Sequence, residues 1–179
     1  MSFFVTSTGN GVDGGNYGGL EGADAKCQKH AATTGAGDRT WRAYLSTTTV
    51  SARDRIGGGP WRNQAGQLVA ANLDALHESG IDSTLMVDEN GAQIPLSEHD
   101  IVTGSFVGGV LADGGGSPQT CLDWTTNNAD FYAWVGHFDW SIDNEDDGDT
   151  WNAVHETPCS QDGMATTASA GRLYCFAAD

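Results

Sequence analysis

The residues best placed to do chemistry lie in the last third of the chain. Asp143, Glu145, Asp147 and Gly148 follow the D-x-[DEN]-x-D-G opening of a calcium loop, with Asp149 alongside. Alternate positions turn their carboxylates inward, glycine permits the bend, and calcium takes six to eight oxygen ligands. Asp143, Glu145, Asp147 and Asp149 are therefore the expected calcium ligands. The twelfth position, where an EF-hand places glutamate, is Val154. His137 and His155 flank this run and could join a transition-metal site with a nearby carboxylate, although isolated surface histidines are commoner. Four of the six tryptophans, Trp124, Trp134, Trp140 and Trp151, lie in the same region. Exposed aromatics stack on sugar faces and dominate protein contacts. The expected ligand surface is thus Trp134, His137, Asp139, Trp140, Trp151 and Asn152.

Other chemistries find less support. Gly9-x-Gly11-x-x-Gly14 matches the dinucleotide fingerprint by letter. That fingerprint needs a helix opening directly at the glycines inside a βαβ unit, and NYGGLEG intervenes instead. Serines are plentiful, but no G-x-S-x-G elbow is present, so no catalytic residues are assigned and the reading is not an enzyme. The formal net charge of −16 repels phosphate backbones, which argues against nucleic acid and heparin-like partners. No stretch approaches the roughly 20 apolar residues of a membrane span.

The elements that must position these side chains read as α+β. The 179 residues contain 25 glycines and only 18% charged residues, which favours a loop-rich fold in one domain, 1–179, without repeat or linker. Residues 22–32, GADAKCQKHAA, predict a short helix with Ala23, Cys27 and Ala31 on one buried stripe. Asp24 lies in its first turn, as the helix dipole favours. Residues 39–46 alternate as a half-buried strand, and 51–56 can make one helical turn. Asn90-Gly91 is a hairpin signal. Residues 101–111, 131–135 and 171–176 read as strands. Four cysteines allow three pairings, and no C-x-x-C pair supports a zinc ribbon or a thioredoxin-type motif. Two disulfides and an oxidising compartment are expected, hence a secreted or cell-surface location. The opening MSFFVTSTGNG has no secretory leader pattern, so the expectation is that a leader was removed and Met1 added.

In order along the chain stand GLEGADAKCQKHA, TWRAYLST, ARDRI, PWRNQAGQLVAANLDAL, VTGS, CLDWTT, Gly136, DTW and LYCF. This set resembles the endostatin-like branch of the C-type lectin-like superfamily, and more closely a group of bacterial secreted domains. The resemblance implies a small twisted antiparallel or mixed sheet, flanking helices and a long loop region. It also implies nested disulfides, Cys27 to Cys175 and Cys121 to Cys159. The inner bridge would close a loop of 38 residues, worth about 3–4 kcal/mol by chain entropy. The departures limit what carries over. The proline tripeptides of calcium-dependent sugar recognition are missing, and Trp151-Asn152-Ala153 has alanine where the second ligand motif has a carboxylate. Six arginines are too few for a heparin face, and the N-terminus lacks endostatin's histidine-rich zinc ligands. The expected function is an extracellular binding or adhesion module that recognises a glycan or cell-surface protein, with calcium ordering the loop. The alternative is a self-assembling structural subunit, a homo-oligomer or fibre.

Overall fold

The computed structural model describes residues 1–140 and 150–179. The chain opens with β1 (Phe3–Val5), followed by helix α1 (Gly19–Thr33) and β2 (Trp41–Ala43). A hairpin of β3 (Trp61–Arg62) and β4 (Leu68–Ala70) leads to α2 (Leu73–Glu78). Then come β5 (Asp100–Val102), the hairpin β6 (Ser105–Phe106) and β7 (Val110–Leu111), and β8 (Tyr132–His137). The chain finishes with β9 (His155–Pro158), α3 (Gln161–Thr166), β10 (Ser169–Arg172) and β11 (Tyr174–Ala177). This is a mixed α+β architecture of small sheets. Among the described residues no helix is long and apolar enough to cross a membrane.

The two ends of the chain meet in one sheet of order β1-β11-β2, all antiparallel. Both faces of this sheet are covered, because successive strand residues point to opposite sides. Phe4, Cys175, Ala43 and Trp41 face α1, in a core that also holds Trp124, Val135 and Leu173. Phe3, Val5, Tyr174 and Phe176 face the other way, against Tyr44, Ile56, Trp61 and Trp151. Helix α1 carries the expected stripe of Ala23, Cys27 and Ala31, and starts three residues earlier than the pattern suggests. Its Cys27 bonds Cys175 in the central strand, and Cys121 bonds Cys159, each with Cα atoms 5.6 Å apart. Asp24 does more than complement a dipole. Its buried carboxylate takes Arg55 (2.7 Å), Arg42 (2.7 Å) and the Ala43 amide (2.9 Å), tying α1 to β2. The glycines near the N-terminus open only a 3-10 turn at Gly11–Asp13, so the dinucleotide fingerprint finds no helix there.

The second sheet, of order β10-β5-β8-β9, positions the candidate site. Strand β10 runs parallel to β5, while β5–β8 and β8–β9 are antiparallel. The register sets Asp100 opposite His137, Val102 opposite Val135, and Val135 opposite His155. Residues 133, 135 and 137 share one face of β8, so Asp100, His137 and His155 all point to that face. Gly136, between them, is required by a close approach. A Cβ there would lie 2.1 Å from the Trp151 carbonyl oxygen and 2.4 Å from the Asn152 Cα.

Candidate metal centre at the end of the β5–β8–β9 sheet

Three imidazoles converge on one carboxylate. Asp100 is fully buried. Its Oδ1 lies 2.9 Å from His137 Nε2 and 3.1 Å from His99 Nε2, and its Oδ2 lies 3.5 Å from His155 Nε2. The Nε2 atoms of His137 and His155 are 3.1 Å apart. The ligand atoms of His99, Asp100 and His137 all fall within 4.8 Å of one another. The two imidazoles share a hydrogen bond, whereas the contacts to the carboxylate are not ordinary hydrogen bonds. Among the described residues neither Asp100 oxygen has a hydrogen-bond partner, because the nitrogens lie close but out of line for donation.

Each participant is held from behind. His99 follows a 3-10 turn, Leu96–Glu98, in which Glu98 is gripped by the largely buried Arg172 (Nε to Oε2 2.7 Å). The Phe138 amide donates to the His99 carbonyl at 3.2 Å, which fastens the turn before β5 to the end of β8. Asp139 stands behind the His99 ring, its Oδ2 3.7 Å from Nδ1. His155 Nδ1 faces the Glu156 carbonyl at 3.0 Å. The Trp140 ring meets the His137 ring edge-on, with centroids 4.8 Å apart at 85°. His137 is 6% exposed, while the side chains of His99 and His155 are 29% and 39% exposed. The cluster therefore begins in the interior and opens at the surface. Its charge is felt below: burial, and then the carboxylates of Asp139 and Asp100, push the Tyr174 phenol well above its ordinary range.

The ligand surface expected from sequence divides when folded. His137, Asp139 and Trp140 come together at this sheet end. Trp134 alternates to the opposite face of β8, where it packs edge-on against Phe106 (5.0 Å). Trp151 is a core residue, 1% exposed, packed on Tyr44 and Tyr174 with its Nε1 donating to the Leu76 carbonyl at 3.2 Å. Asn152 is equally buried. Its amide donates to the Tyr44 hydroxyl (3.3 Å) and the Phe106 carbonyl (3.1 Å), so it braces the interior, away from the sheet end where His137 lies. The expected calcium ligands Asp143, Glu145, Asp147 and Asp149 lie outside the described residues. His99 and Asp100 went unread as site residues. The adjacent His-Asp pair opening a strand is the signal that could have found them.

A second concavity, about 400 Å³, is lined by Thr48, Pro118, Thr120, Leu122, Asp123 and Phe131 among others. Its wall is a left-handed turn, Cys121–Trp124, with φ of 49°, 52°, 53° and 67° in succession. Neither a scan against family models nor a search of curated proteins matched the chain.

Proposed function

We propose that the chain is a binding module of the secreted, disulfide-closed kind, a single C-type lectin-like domain of the endostatin-like branch, without catalytic activity of its own. Its ligand, a glycan or a cell-surface protein, is met at the end of the second sheet by Trp140, His99, His155 and Asp139. The observation that carries this reading is the meeting of the half-buried Trp140 with half-exposed polar side chains around one partly open cluster. Such a patch combines an aromatic anchor with groups able to fix a ligand's orientation. The two disulfides support a protein folded in an oxidising compartment. The nested arrangement of those bridges supports the lectin-like reading.

The test is binding to glycan and protein arrays, with and without a chelator. A ligand found there should lose most of its affinity on Trp140→Ala and keep it on Trp134→Ala, which alters the opposite face. Equal retention by both variants would remove the ligand from this face.

A further inference from the structure

We propose that His99, Asp100, His137 and His155 form a binding site for one divalent transition-metal ion of the zinc type. The inference stands on side-chain geometry and goes beyond the binding-module reading, which concerns an external ligand.

The first argument is electrostatic. A fully buried carboxylate with no hydrogen bond to either oxygen is costly, and proteins keep such groups charged only with a donor, an opposite charge or a metal. Three nitrogens surround it. His155 Nδ1 donates to the Glu156 carbonyl at 3.0 Å, which leaves its Nε2 as the acceptor facing His137 Nε2 at 3.1 Å, while Asp139 stands behind the His99 ring. The carboxylate itself receives no such bond, although three ring nitrogens lie within 3.5 Å of its oxygens. A cation held by His99, Asp100 and His137, with His155 drawn in as the fourth donor in place of the proton the two rings share, would compensate the buried charge.

The second argument is metric. Zinc binds imidazole nitrogen at about 2.0–2.1 Å and carboxylate oxygen at about 2.0–2.2 Å, so a tetrahedron places its donors roughly 3.3 Å apart. Asp100 Oδ1 lies 2.9 and 3.1 Å from His137 and His99 Nε2, close to that spacing, and His155 Nε2 stands 3.1 Å from His137 Nε2 and 3.5 Å from the other carboxylate oxygen, at the edge of the three-residue group. The third is the supporting shell: histidine ligands characteristically direct their second nitrogen at a carboxylate or a carbonyl, as His99 and His155 do here. The donor set also selects the ion. Imidazole suits zinc and its neighbours, whereas calcium requires an oxygen cage. This centre thus differs in its residues and in its chemistry from the calcium loop expected at 143–149. It is also far along the chain from the N-terminus, where no histidine precedes His30.

One ion here would join the turn before β5, the end of β8 and the start of β9. It would close the base of the connection from His137 to His155, in addition to the disulfides.

The full chain, stripped with a chelator and dialysed, is titrated with zinc by calorimetry and with cobalt by visible absorption, with metal content measured directly. One equivalent of zinc should bind, and cobalt should give the d–d bands of a nitrogen-rich site. Asp100→Asn and His155→Gln should weaken zinc by at least roughly 100-fold. Asp139→Asn, which acts only through His99, should weaken it about 10-fold. His155→Gln lies at an exposed edge, so it reports on the metal even if a buried variant fails to fold. Excess calcium should leave the bound zinc in place. No zinc bound by the wild type, wild-type affinity in folded His155→Gln, or displacement by calcium would each overturn the proposal. Metal binding without any array ligand would leave this site standing and remove only the function proposed above.

Discussion

The left-handed turn at Cys121–Trp124 makes an unusual sign prediction. Four consecutive non-glycine residues with φ between 49° and 67° cost roughly 1–2 kcal/mol each, because Cβ crowds the following carbonyl. Three of the four are locked by their side chains. Cys121 is bonded to Cys159, and Trp124 Nε1 donates to the Ser46 carbonyl at 2.8 Å. Asp123 accepts the Thr48 amide at 2.9 Å and its hydroxyl at 2.6 Å. Leu122 is 52% exposed, and its conformation is dictated by its neighbours. Replacing it with alanine or glycine removes the same contacts, so the difference between the two variants isolates the backbone. Glycine relieves about 1–2 kcal/mol of strain and gives back about 0.5–1 kcal/mol through the greater freedom of the unfolded chain. Leu122→Gly should therefore be more stable than Leu122→Ala by about 0.5–1 kcal/mol, or about 1–4 °C in melting temperature for a chain of this size. At the exposed helical position Lys29 the order should reverse, with alanine ahead by about 1 kcal/mol. Urea denaturation of the four variants decides it. Leu122→Ala equal to or more stable than Leu122→Gly would show that the turn carries no such strain.

Burial raises the Glu89 carboxyl, but hydrogen bonds from His30 and Ser7 outweigh it and hold the pKa down to about 2. A group depressed in the folded state adds stability that is full above its unfolded value of 4.5 and is lost as pH falls towards about 2. Glu89→Gln should flatten the stability profile in that window, and an unchanged acid limb would refute the assignment. His77 is likewise depressed, by burial first, and its Nε2 sits 2.7 Å from the Tyr44 hydroxyl. Its contribution is present above pH 6.5 and declines as pH falls below it, so His77→Gln should reduce the loss seen by urea denaturation between neutral and mildly acid pH. The bridges differ in loop length, 148 against 38 residues. Replacing Cys27 and Cys175 by alanine should cost about 5 kcal/mol of unfolding free energy and replacing Cys121 and Cys159 about 4 kcal/mol, with the inner loss reduced further if the strained turn relaxes. A larger cost for the inner pair would contradict this ordering.

What could be read from the chain was local. Helix α1 was legible because Ala23, Cys27 and Ala31 repeat at the helical period, and β2 because Trp41 and Ala43 alternate with a polar partner. The parity of β8 was equally legible: Trp134 and His137 differ by an odd number of residues and cannot share a strand face. Grouping them as one surface followed their nearness along the chain, and so did adding Trp151 and Asn152, which pass over Gly136 into the core. The metal cluster was hidden for a different reason. No short motif joins Asp100 to His137, and only the antiparallel register of β5 on β8 sets them opposite. His155 enters through a second pairing, β8 on β9. A one-residue slip in either pairing would turn the slipped side chain to the other face. Register is in turn enforced by apolar partners such as Val102 and Val135, which fill the core shared with Trp124. The same residues that bury the sheet thus aim an uncompensated carboxylate at three imidazoles, and the packing that stabilises the fold also fixes the donor spacing on which a metal would depend.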